Sequence, residues 1–128
     1  MKKRLEAVRE FHEAFGLAVQ DQPVACLGKE KHLLRYELMK EENEEYLTAA
    51  NKGSKVEIAD ALGDMLYILC GTILEHGMQH KIEEVFAAIH QSNMSKLGTD
   101  GNPVYREDGK VLKGPGYFSP ALEELFRE

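Results

Sequence analysis

Cysteine is scarce in this chain. Cys26 and Cys70 stand far apart and outside any C-x-x-C pattern, so neither a disulfide framework nor a zinc knuckle follows from them. Cys70 lies in an apolar run and reads as a buried free thiol. Basic residues are also in deficit: 16 Lys and Arg face 22 Asp and Glu, a net charge of -6. That argues against a nucleic-acid polymer as partner, since such binders need a basic face. An anionic small substrate stays open, because a bound divalent cation reverses the local sign. A long unbroken apolar run is missing too. The most apolar stretch, Ile58 to Leu74, is interrupted by Asp60 and Asp64, so no membrane partner is expected. The opening M-K-K-R-L-E-A-V-R-E lacks an apolar h-region, so no signal peptide is expected and a reducing cytoplasm is the expected compartment.

What is present suits one soluble domain over residues 1–128. Hydrophobic residues at 43% and charged residues at 30% argue against wholesale disorder. Helical spacing predicts a first helix from about Lys2 to Val19, with Leu5, Val8, Phe11, Phe15 and Ala18 on its apolar stripe. A second runs from about Lys29 to Ala50 and stops near Gly53. Ser54-Lys55-Val56-Glu57 has the form of a capping box and opens a third, which reaches about His76. A fourth spans about His80 to Ser95, with Ile82, Val85, Phe86 and Ile89 on one stripe. Asp108-Gly109 marks a hairpin, and Ser119-Pro120 opens a short last helix to Phe126. The fold class is all-α with a small C-terminal appendage.

The acids sit where an ordinary amphipathic helix would not put them. Lys40 to Leu47 reads K-E-E-N-E-E-Y-L. With Glu41 at zero and about 100° per residue, Glu45 falls near ~40° and Glu42 near ~100°. Leu34 near ~20°, Leu38 near ~60° and Ala49 near ~80° occupy the same arc. Only Glu44, with Glu37, Lys40 and Lys52, belongs on a solvent face. On the third helix, Glu57, Asp60 and Asp64 share an arc of about 60°. No Lys or Arg lies between Glu57 and Ile73 to neutralise them. Ionised carboxylates in a poorly solvated place cost several kcal/mol each unless paired.

A short loop makes the two helices an antiparallel hairpin, so residues equidistant from Gly53 face each other and Glu42 meets Asp64. Hard divalent cations prefer carboxylate oxygen and suit such a cleft. Plainer roles compete. Glu57 serves equally as the acid of the capping box, and helix-start electrostatics accounts for one acid near the N-terminus of the third helix, though not for Asp64. Phe11, Phe15, Tyr67, Phe86 and His90 read as core packing before they read as a base platform.

Glu41-Glu42-Asn43-Glu44-Glu45 followed by Glu57-Ile58-Ala59-Asp60 resembles the E-E-x-x-E, spacer, E-x-x-D signature of the all-α nucleoside triphosphate pyrophosphohydrolases, the MazG-like and phosphoribosyl-ATP pyrophosphohydrolase-like superfamily. E-I-A-D-A-L-G-D-M-L-Y-I-L-C-G-T, S-N-M-S-K-L (Ser92 to Leu97) and D-G-K-V-L-K-G-P (Asp108 to Pro115) are similar to its phosphoribosyl-ATP branch. The resemblance covers most of the chain. It implies a four-helix MazG-like bundle with a hairpin and short-helix appendage. The implied activity is cleavage of a nucleoside triphosphate between its α- and β-phosphates, with Mg²⁺ as cofactor or Mn²⁺ as substitute.

Carried over by position, Glu42, Glu45, Glu57 and Asp60 are implied metal ligands, and Glu41 helps bind metal or activates the attacking water. Asp64 lies beyond the minimal motif and is given a supporting role near the substrate. Asn93 and Lys96 match a substrate-contacting segment; Lys96 serves equally as a favourable charge at a helix C-terminus. Lys113, with Lys110, is a weaker phosphate contact, since a hairpin lysine is more often simply solvated. A homodimer or homotetramer is implied. The leading substrate is a (deoxy)nucleotide, dUTP or a related pyrimidine; phosphoribosyl-ATP is the rival. A non-catalytic module whose acidic cleft binds metal or a basic partner is a third reading. A di-iron carboxylate bundle is disfavoured, because no histidine has a glutamate three residues before it.

Overall fold

Gly53 and Ser54 make the turn on which the first part of the molecule is organised. The computed structural model describes residues 1–127, in two compact units, one of Met1–His80 and one starting at Lys81. The first holds α1 (Lys2–Ala14), α2 (Lys29–Lys52) and α3 (Lys55–Glu75). The second holds α4 (Ile82–Met94), an antiparallel hairpin of β1 (Val104–Tyr105) and β2 (Val111–Leu112), and a 3₁₀ turn at Glu123–Phe126. Among the described residues, no helix is long and apolar enough to cross a membrane.

Gly53 takes φ 78° and donates its N–H to the Ala49 and Ala50 carbonyls, closing α2 in a left-handed stop that favours glycine. Ser54 then caps α3: its hydroxyl accepts the Glu57 N–H at 3.2 Å. Only half of the capping box forms. The Ser54 N–H goes to the Ala49 carbonyl, and the Glu57 carboxylate turns to Lys52. So short a turn forces α2 back along α3, and α1 packs on α3 as well. Cys70, Ile73 and Leu74 of α3, with Leu5 and Val8 of α1, are buried.

A charged network ties α2 to the C-terminal half of α3. Glu75, 2% exposed, is paired with Lys31 at 2.8 Å and Arg35 at 3.1 Å. Arg35 also donates to the Thr72 hydroxyl at 3.0 Å and the Ile68 carbonyl at 2.7 Å. Gly71 makes room for this: a Cβ there would lie 2.6 Å from Arg35 Nη2 and 2.9 Å from His12 Nε2. Burial lowers the Arg35 pKa and Glu75 opposes that shift.

Several boundaries and burials differ from the sequence expectation. The first helix ends at Ala14 rather than near Val19. The Leu17 N–H reaches back to the His12 carbonyl at 2.7 Å, and the His12 ring bonds the Ala18 carbonyl, so the chain reverses early. Within α1, Leu5, Val8 and His12 are buried, while Phe15 is 69% exposed. Phe11 and Phe15 lie tilted against each other with ring centres 4.4 Å apart, and Phe11 meets Tyr67 edge-on at 5.7 Å, in an aromatic cluster at the surface rather than in the core. Phe86 is 72% exposed. The last helix is the short 3₁₀ turn, and no side chain caps it. Ser119 is drawn instead to the Tyr117 phenol.

Arg35→Met leaves a buried carboxylate with Lys31 alone and removes the guanidinium bonds to the Thr72 hydroxyl and the Ile68 carbonyl. Loss of one partner of such a pair costs about 3–5 kcal/mol. Urea unfolding is expected to show a drop of that order, and a drop under about 1 kcal/mol would assign the network no stabilising role.

Candidate active site

Glu42 of α2 and Asp64 of α3 are equally far from Gly53 in sequence, and the hairpin brings them together. A carboxylate oxygen of Glu42, one of Glu45 and one of Asp64 all lie within 4.8 Å of one another. Glu42 is half-buried, and its Oε2 is enclosed without a hydrogen-bond partner. Burial, then the proton shared with Glu45, then the charges of Glu45, Asp64 and Glu41 push its pKa from the ordinary 4.5 to about 7. The physical cause is crowding of like charge where water is scarce.

The other acids open on a neighbouring cleft of about 390 Å³, lined by Glu41, Glu44, Glu45, Glu57 and Asp60, with Lys52 beside them. Glu45 belongs to both groupings and joins them. Glu44 was expected on the solvent face; it is exposed, yet it lines the rim of this cleft, because the groove is open. Lys52 was also placed on the solvent face. In the structure its ammonium pairs with Glu57 at 3.1 Å. Glu57 therefore has a cation at hand from α2, although no Lys or Arg lies between Glu57 and Ile73. The signal was present in the sequence, as a lysine in the last turn of α2 just across the Gly53 stop.

The remaining predicted residues lie in the second unit. Asn93 is exposed in the last turn of α4, and the Lys96 N–H bonds the Asn93 carbonyl just past its end. Lys113 follows β2 and lies over the Tyr117 ring. The structure thus gathers Glu41, Glu42, Glu45, Glu57, Asp60 and Asp64 in the first unit, and Asn93, Lys96 and Lys113 in the second.

An unpartnered, enclosed carboxylate oxygen beside two more carboxylates is a donor set that fits a hard divalent cation. It also fixes a pH dependence. Between pH 4.5 and about 7 the folded chain binds more protons at Glu42 than the unfolded chain does, so its stability falls as pH rises through that window. Urea titrations in chelator are expected to show this fall. Glu42→Gln should flatten it, and Mg²⁺ should offset it by binding the folded state. A pH-independent stability in chelator would contradict the crowding.

The family of phosphoribosyl-ATP pyrophosphohydrolases matches residues 8–93, a span that holds every carboxylate of the two groupings. No curated protein is similar enough to count as a relative. Among solved structures, one of a protein from Exiguobacterium sp. 255-15, provisionally named an NTP pyrophosphohydrolase, is 26% identical, with a TM-score of 0.49 over 95% of this chain and 90% of that one. On the family match, which takes in α2, α3 and the acids they carry, the chain belongs to the phosphoribosyl-ATP pyrophosphohydrolase family, within the MazG-like all-α NTP pyrophosphohydrolases.

Proposed function

We propose that the chain, acting as one domain, is a Mg²⁺-dependent nucleoside triphosphate pyrophosphohydrolase. It hydrolyses the α–β phosphoanhydride of a (deoxy)nucleotide, dUTP or a related pyrimidine, to a nucleoside monophosphate and pyrophosphate. The observation that carries this reading is the Glu42–Glu45–Asp64 trio, whose crowding a bound cation would relieve. Glu42, Glu45, Glu57 and Asp60 hold the metal. The place of Asp64 beside Glu42 and Glu45 supports counting it with the ligands rather than with the substrate contacts. Mn²⁺ substitutes through the same oxygen donors.

Bound Mg²⁺ supplies positive charge against phosphate oxygens and acidifies water. Glu41 lines the cleft, exposed, and accepts the proton of the attacking water. Glu57 is held by Lys52 in an exposed pair, 65% and 50% open. Such pairs contribute about 0–1 kcal/mol, so Glu57 turns to a stronger partner at little cost. Asn93, Lys96 and Lys113 donate to the phosphates.

The family match favours a second reading, cleavage of phosphoribosyl-ATP by the same α–β chemistry. We rank it second because of the extended tail after Leu97, which lies beyond the matched residues 8–93. A homodimer or homotetramer is supported by Leu62, Leu66 and Leu69, a stripe on α3 that stays 39–50% exposed. The two free thiols are in keeping with a reducing cytoplasm.

A nucleotide panel with Mg²⁺ is expected to release pyrophosphate, most from a pyrimidine deoxynucleotide, and Glu42→Gln to abolish it. Turnover of phosphoribosyl-ATP alone selects the second reading. Release of inorganic phosphate in place of pyrophosphate refutes α–β cleavage, and metal binding without any hydrolysis selects a non-catalytic module. Analytical ultracentrifugation should give a mass of two or more chains, and a monomer would remove the assembly.

A further inference from the structure

In the second unit the tail is strapped to the end of α4. The Gly114 N–H donates to the Lys96 carbonyl at 2.8 Å, the Ser92 hydroxyl to the Phe118 carbonyl at 2.8 Å, and the Phe118 N–H to the Ser95 hydroxyl at 3.1 Å. Gly114 is buried, and a Cβ there would lie 2.3 Å from the Leu97 carbonyl oxygen, so the strap lies backbone against backbone. Both serines of S-N-M-S-K are spent on this strap. Asn93 and Lys96 are the polar side chains of the motif left over.

The strap delivers Tyr117, half-buried, whose N–H bonds the Gly114 carbonyl at 3.1 Å. The Lys113 ammonium stands 4.6 Å from the centre of the Tyr117 ring. The phenol is held below its ordinary pKa, first by hydrogen bonding with Ser92, then by Ser119, with the charges of Lys113 and Lys96 adding to the effect. The Lys113 ammonium thus stands over the ring, and the bond from Gly114 to the Lys96 carbonyl lays the backbone next to Lys113 against Lys96. Neither lysine forms an ion pair with a carboxylate among the described residues. Two like charges brought together and left without a counter-ion favour a ligand carrying several negative oxygens in a row.

We propose that Tyr117 is a positioning residue, whose ring face holds the Lys113 ammonium beside Lys96 so that the pair takes the polyphosphate chain of the substrate. The proposal rests on the reading of that substrate as a nucleoside triphosphate. It gives Lys113 a fixed place, where a hairpin lysine would otherwise sweep freely through solvent. The ring, rather than the hydroxyl, does the holding, because a cation is drawn to the face of the π-system.

The experiment separates this from the activity itself. Inorganic tripolyphosphate is titrated into the full chain by calorimetry in chelator, where the carboxylates have no cation through which to attract it. KM and kcat for the best nucleotide are measured with saturating Mg²⁺. Tyr117→Leu is expected to weaken tripolyphosphate binding and raise KM roughly two- to fivefold, with kcat unchanged. Tyr117→Phe, which keeps the ring, should behave as the parent. In a Lys113→Met background Tyr117→Leu should have no further effect. Equal loss in both backgrounds would show that Tyr117 acts on the fold and not through Lys113, and absence of tripolyphosphate binding by the parent chain would overturn the site. If no nucleotide is turned over while the tripolyphosphate series behaves as expected, the proposed activity fails and the polyphosphate site stands.

Discussion

The buried Arg35–Glu75 pair is the contact on which the arrangement of the first unit depends. Apolar packing alone holds α2 against α3 loosely, since Leu33, Leu34, Leu62 and Leu66 are all substantially exposed. A guanidinium is more directional. It reaches a carboxylate, a hydroxyl and a backbone carbonyl on three successive turns of α3, so one side chain sets both the rotation and the axial position of the helix pair. Its charges are costly to bury, and replacing such pairs with apolar residues often leaves stability unchanged or higher. What the network contributes is register, and register decides which acids meet.

From that register the chemistry follows. Arg35 near the open end and Gly53 at the closed end fix α2 and α3 between them, and Glu42 is left facing Asp64 with Glu45 alongside. These groups repel one another, and burial together with that repulsion raises the pKa of Glu42. The rest of the unit holds them together against that repulsion. A cation bound there would relieve that repulsion, and its binding would then draw on the same free energy as folding.

Much of this was legible in the sequence, for identifiable reasons. The number and order of the helices follow from apolar spacing and from Gly53 and Ser54, which act locally. The facing of Glu42 and Asp64 follows from counting outward from one glycine. What escaped was whatever depends on a long side chain reaching across space. Lys52 looked like a solvent-face lysine and pairs with Glu57. Arg35, Lys31 and Glu75 carried no pattern of their own, because their partners are more than thirty residues away. Ser119 looked like a helix cap and instead serves Tyr117. Burial of Phe11, Phe15 and Phe86 was over-assigned, since periodicity identifies a stripe without saying that anything covers it.

The two-residue connection between α2 and α3 has a consequence for how this chain can vary. Each residue added in helical conformation beside it would rotate one helix against the other by about 100° and slide it by about 1.5 Å, so one added amino acid would swing Asp60 and Asp64 away from Glu42 and Glu45. Length changes are tolerated there only in whole-turn multiples, or when a compensating change shifts the Arg35 anchor by the same amount.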